Sequence, residues 1–463
     1  MNRYCLILAL HSLALPLQTA LADNLPPSPT YRGEIRRDAD GNLTAAPPPA
    51  PEPAPARPAP AAIPTASAPP PSPPAGARPV KPAEAAVAKT AAPENLAPRV
   101  IHVGPNSAVR TLAAAAKMAR DGDTVEIEPG DYVGDVAVWL QDRLTLRASQ
   151  GRARLVAAGA NAEGKAIWVM RGGKVTIENI DFTGARVRDR NGAGIRLEKG
   201  HLLVRNCTFT DNENGILVAN IPDIELDIEN SEFGHNGYGD GQSHGIYVGQ
   251  IRRLSVVGSY FHHGKVGHLL KSRARENYVA YNRLTDETGG RASYELEFPA
   301  GGLAYVIGNI IEQSAQTENS TIISFGAEGY YWPNNELYLI NNTIVDNRPA
   351  NGIFLRVRAG EQVFRAVNNI FVGKGSVFLG TQEIKQAALP NNVVADPGVF
   401  AQASSHDYRL QARSAPVGKF VDPGSVREVK LSPQREYLHP HSSRALGKAA
   451  SQPGALQTLA QPR

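Results

Sequence analysis

From Val100 onward the chain repeats one pattern. A short run alternates apolar and polar residues, a polar residue interrupts it, and a second short run follows. The copies read VTIENIDFTG, LLVRNCTFTD, LDIENSEFGH, LSVVGSYFHH, YVAYNRLTDE, YVIGNIIEQS, LYLINNTIVD and FRAVNNIFVG. Alternation marks a half-buried strand, because successive side chains point to opposite faces. The interrupting positions are Asn179, Asn206, Asn230, Gly258, Asn282, Asn309, Asn342 and Asn369, at intervals of 24 to 33 residues. Strands at this period exclude helical repeats and are too closely spaced for propeller blades, and the leucine signature of leucine-rich repeats is missing. A coil of three short strands and three turns fits. Stacked coils superpose like residues, so the Asn run predicts a ladder of side-chain amides at turns that tolerate left-handed backbone. One helix is expected before the repeats, in RTLAAAAKMAR (Arg110 to Arg120), ending before Gly122.

Composition divides the chain. Of 36 prolines, 21 lie between Asp23 and Pro98, in Pro/Ala runs with a single aromatic, Tyr31. Such a segment buries too little apolar surface to offset the entropy of ordering it. Residues 23–98 are therefore expected to be a disordered linker. Residues 1–22 read as a secretory signal: Arg3, an apolar stretch, then Ala20-Leu21-Ala22 as a small-residue cleavage site. That apolar stretch is too short to span a membrane, so the expectation is an exported bacterial protein, periplasmic or secreted, without a transmembrane segment. The mature chain would keep one cysteine, Cys207, which excludes an internal disulfide and a thiolate-rich zinc site. Cys207 lies on a strand and reads as a small buried hydrophobe. A net charge of +4 without basic clusters argues against nucleic acid and is compatible with a polyanionic substrate. Residues 99–420 are assigned to the repeats and 421–463 to a flexible tail.

GDTVEIEPGDY after an Ala-rich helix, followed by coils of the VTIENIDFTG type, resembles the right-handed parallel β-helix of the pectate lyase-like superfamily. The resemblance implies an all-β solenoid with an N-terminal helical cap. HDYRLQARSAPVG, from His406 to Gly418, resembles the end of such repeats. Most members act on acidic polysaccharides as lyases, hydrolases, epimerases or esterases, and some are adhesins or phage fibres.

Registering the coils on their apolar positions points Tyr247, Lys271, Arg273, Glu295, Glu297, Phe354, Arg356 and Arg358 outward on one sheet, with Tyr294, Leu296 and Phe298 inward. His244 and His268 precede the strand on neighbouring coils, and His262 and His263 lie on the preceding turn. Five histidines fall between His235 and Arg275. Such a groove suits proton abstraction from a sugar acid. β-Elimination removes the C5 proton of a uronate once its carboxylate is neutralised, and an acid protonates the departing O4. Lys271 is the leading base and His268 the alternative, since histidine titrates near neutrality. Tyr247 or His244 is the acid. Arg273, Arg291 or Arg356 neutralises the carboxylate, and Arg358, Glu295 and Glu297 line the substrate. LLKSRARENYVAYNRL is similar to the Lys-Ser segment of β-helix lyases acting on alginate and dermatan or chondroitin chains, which implies Lys271 as base. The Arg-His pair that those lyases carry on the next coil is replaced by Glu297 and Phe298. A C5-epimerase uses the same proton abstraction. Glu295 and Glu297 on one face would instead suit a hydrolase, joined by Asp240 or Glu328, and they offer a partial ligand set for a cation such as Ca2+. A non-catalytic polysaccharide-binding envelope protein would use Tyr330-Tyr331-Trp332 as its platform.

Overall fold

The alternating runs become the strands of three parallel sheets, visited once per coil. The computed structural model describes residues 35–37, 43–45, 97–317, 319–379 and 389–461. The expected signal and nearly all of the expected linker lie outside these residues; within the linker span, Ile35–Arg37 pairs antiparallel with Leu43–Ala45. The first sheet runs over eleven strands from Val100–Val103 to Val363–Val367, the second over eleven from Gly130–Val133 to Val393–Ala395, and the third over ten from Ala137–Trp139 to Ser376–Leu379. The fold is a right-handed parallel β-helix of about eleven coils.

The coil interior is filled by like residues stacked on like. Phe182, Phe209, Phe233 and Phe261 occupy one inward row of the second sheet, with centroids 4.8 to 4.9 Å apart and nearly parallel rings. The helix α1, Leu112–Met118, closes the N-terminal end by burying Leu112 and Ala115. It is shorter than the sequence suggests. Thr111 caps it through its hydroxyl, and the carboxylate of Asp135 accepts from the N–H groups of Leu112 and Ala113.

The polar ladder exists, but as two columns. Asn282, Asn309, Asn342 and Asn369 are buried, and each amide donates to the Oδ1 of the next at 2.9 to 3.1 Å, ending on Asn392 at 2.8 Å. In earlier coils Cys207, Ser231 and Ser259 hold that column, with backbone N–H groups donating to the Ser231 and Ser259 hydroxyls. Asn179, Asn206 and Asn230 belong one residue earlier, at a corner with positive φ shared with Gly258, Gly308, Asn341 and Asn368. Cys207 is fully buried, which pushes its thiol up to about 12 and leaves it inert.

The segment expected as a flexible tail instead lies back along the solenoid. Leu431 packs with Tyr281, Tyr305 and Ile340, and Tyr437 and Ala455 pack with Ile310 and Ile370. Gln434 N–H donates to the Tyr281 hydroxyl, Gly454 N–H to Asn368 O and Asn341 Nδ2 to Gln452 O, while Arg427 pairs with Glu336. The outer faces that it covers are apolar at these coils, and burying them favours this docking. Among the described residues no helix is long and apolar enough to cross a membrane.

Candidate functional site

The third sheet carries an outward row in strict register, Leu217, Tyr247, Lys271, Glu297, Ser324 and Arg356, one per coil. Parallel strands are about 4.8 Å apart, so these side chains converge. Lys271 Nζ lies 3.0 Å from Glu297 Oε2 and 3.3 Å from Glu328 Oε1. His268 Nε2 lies 2.9 Å from the same Glu297 oxygen. Arg273 grips Glu328 with two N–H groups, at 2.9 and 2.6 Å, and its guanidinium sits over the Tyr247 ring at 5.1 Å. Trp332 Nε1 donates to Arg273 O, anchoring the loop that carries Glu328.

Burial alone would raise the Glu297 carboxyl, but His268 and Lys271 hold it below the usual carboxylate range. Glu328 is likewise held down by Arg273 and Lys271 against the opposing effect of burial. Burial and the nearby cations Lys271 and Arg273 lower His268, although Glu297 opposes them. The result is a dense cation–carboxylate network at the bottom of a groove. Arg273 NH1 and Arg356 Nε are buried and have no acceptor among the described residues.

His244 is 3% exposed and stacks on Tyr247, with ring centroids 5.3 Å apart. Its Nδ1 accepts the backbone N–H of His268 at 2.9 Å, and burial holds it well below the ordinary histidine value. It therefore supports Tyr247 from beneath and does not act as the outward acid. Arg358 is exposed at the rim, with NH1 3.3 Å from Ala327 O. Arg291 is exposed on the turn between the second and third sheets, where its N–H donates to Gly264 O and its carbonyl accepts from Val266; it is not on the outward row.

Three sequence expectations fail at one corner. Glu295 is 0% exposed and lies in the buried row of Leu269, Ile322 and Phe354 rather than beside Glu297 on the outer face. Phe354 is also in the core, whereas Tyr294 turns outward, edge-on to His268 at 4.9 Å. Each coil here directs two consecutive residues inward, as in Leu269-Leu270 and Ile322-Ile323, so the two-residue period breaks where the chain turns between sheets. The Glu295/Glu297 pair of the hydrolase reading is thus split between the coil interior and the outer side of the sheet. It does not fit a Ca2+ site either: Glu297 is engaged by Lys271 and His268, and burial drives Glu295 well above the carboxylate range.

That placement predicts a pH effect. A buried acid with a raised folded-state pKa contributes stability below its unfolded value, near 4.5, and loses it as pH rises toward the folded value. Glu295→Gln keeps the shape and removes the titration. Its melting temperature should exceed that of the parent by a margin that grows as pH rises above the ordinary carboxyl value of 4.5, measured by calorimetry. A margin that shrinks with pH would place Glu295 in an ionised, paired state.

Glu328 is the site residue whose role sequence reasoning underrated. Its signal is the longest repeat interval, from Asn309 to Asn342, which marks an inserted loop between neighbouring coils. That loop brings Glu328, Tyr330 and Trp332 over the outward row, and Arg273, Glu328, Tyr330 and Tyr331 line a cleft of about 220 Å³.

The fold and site define a right-handed parallel β-helix with an ionisable groove on its third sheet. Residues 156–284 match the family described as right handed beta helix region. Among solved structures the chain is similar to pectate lyase Pel9A, at 15% identity over 73% of this chain and 96% of that one, with a TM-score of 0.48. It is also similar to ORF18 of Geobacillus virus E2, at 13% identity over 59% of this chain and 52% of that one, with a TM-score of 0.34. No curated protein matches the sequence.

Proposed function

We propose that this is an exported enzyme that abstracts the C5 proton of an acidic polysaccharide, as a lyase or a C5-epimerase. The observation that carries the reading is the registered row Tyr247–Lys271–Glu297 with His268 on the Glu297 carboxylate and Arg273 beside it. In the resting groove the Glu328 carboxylate bridges Arg273 and Lys271, the position that a uronate carboxylate would take. Substrate displaces Glu328 and pairs with Arg273, which makes the C5 proton more acidic. Lys271 in its unprotonated form, its ammonium proton released to solvent, takes the C5 proton. In elimination the C4–O4 bond breaks as the C4=C5 bond forms, and the Tyr247 hydroxyl protonates O4. The unpartnered N–H groups of Arg273 and Arg356 await further acidic oxygens.

The test is a screen of alginate, pectate, glucuronan and glycosaminoglycans for the ultraviolet absorbance of an unsaturated uronide and for altered C5 configuration. Either product on at least one polymer is expected. New reducing ends with neither change would indicate hydrolysis, and saturable binding without turnover would leave a binding protein.

A further inference from the structure

We propose that His235, His262 and His263 form a binding site for one divalent transition-metal ion of the zinc class, on the corner between the second and third sheets and independent of the Lys271 groove. One ring nitrogen from each lies within 4.8 Å of the others. His262 Nδ1 faces His263 Nδ1 at 2.8 Å, and the His235 and His263 rings stack at 4.7 Å.

His262 is built into place. It is 8% exposed, and its other nitrogen, Nε2, lies 3.1 Å from Glu232 Oε1. A carboxylate on the far nitrogen fixes the tautomer and directs the lone pair of Nδ1 toward a metal. Tyr260 stacks on the same ring at 4.4 Å. Directly below, in register, stands Gly234, where a Cβ would fall 2.4 Å from His262 Cε1. Gly234 lies outside the positive-φ residues, so space for the imidazole, not backbone freedom, is what glycine provides there.

The other two ligands come from a column of corner residues on successive coils, Asp211, His235, His263 and Glu287, all at positive φ. Left-handed backbone at non-glycine residues is uncommon, and here it turns both imidazoles to one side. A tetrahedral ion with metal–nitrogen bonds of about 2.0 Å needs nitrogens about 3.3 Å apart. The His262–His263 contact must open slightly and exposed His235 must swing inward, a rotamer change. Three neutral nitrogens select zinc-class ions over Ca2+ or Mg2+, which require oxygen donors. The exposed side of His235 leaves the fourth position to water or an anionic oxygen.

The test uses the full chain, purified without a histidine tag and stripped with a chelator, then titrated with Co2+ and with Zn2+. The expected result is one high-affinity equivalent per chain, with the visible absorption of tetrahedral Co2+, displaced by Zn2+. His235→Asn and His263→Asn tolerate the left-handed backbone and should each weaken binding at least about 10-fold, and Glu232→Gln should weaken it about 10- to 100-fold. Circular dichroism verifies that the variants are folded. Absence of saturable binding to the parent chain, or affinity unchanged in the His235→Asn/His263→Asn double variant, would overturn the site and identify the 2.8 Å contact as an imidazole–imidazole hydrogen bond.

Discussion

Lys271→Ala is expected to lower C5 proton abstraction about 100- to 10,000-fold, the usual cost of losing a general base, with the circular dichroism spectrum unchanged. Nζ projects from the outer face of the third sheet toward Glu297 and Glu328, and no core residue depends on it. Its removal leaves Arg273 and Tyr247 in place but no group to receive the proton. His268→Ala and Tyr247→Phe should cost less. His268 acts through Glu297, and water can protonate a departing oxygen in place of Tyr247. Hydrolysis reverses the order: Glu297→Gln or Glu328→Gln is then fatal and Lys271→Ala mild. Steady-state rates on the responsive polymer separate the two.

The second large effect concerns the solenoid itself. Phe209→Ala should destabilise the fold by about 3–5 kcal/mol. Its ring lies between Phe182 at 4.9 Å and Phe233 at 4.8 Å, so truncation leaves a cavity within a continuous stack that neighbouring coils cannot collapse into. Val394→Ala is the control: that side chain is 66% exposed, and such substitutions usually stay within about 0.5 kcal/mol. Chemical denaturation followed by circular dichroism measures both. Comparable small losses would mean that the Phe column contributes little.

Much of this was legible in the sequence, for a physical reason. Alternation within each strand, repeated coil by coil, is enough to place Tyr247, Lys271, Glu297 and Arg356 in one outward row, and the register agrees. Alternation fails where the chain turns. Glu295 and Phe354 fall outward only if the rule is extended through a corner at which two consecutive residues enter the core; the doublets Leu269-Leu270 and Ile322-Ile323 carry that information. The Asn ladder reads as one column in the sequence because corner and interior positions differ by one residue, and both accept Asn. The C-terminal segment lacks the repeat that marks the coils, yet Leu431, Tyr437 and Ala455 find apolar rows on the outer faces. Glu328 acts across an inserted loop, and its 55-residue separation from Arg273 leaves no pattern in either strand.

The most direct measurement is the fate of the C5 hydrogen, followed by proton NMR in D2O on the polymer that responds. The parent chain should consume it, giving either an unsaturated uronide or a C5-deuterated, inverted sugar, and Lys271→Ala should leave it intact. Cleavage with the C5 hydrogen retained, or loss of that hydrogen undiminished in Lys271→Ala, would contradict the assignment of the groove.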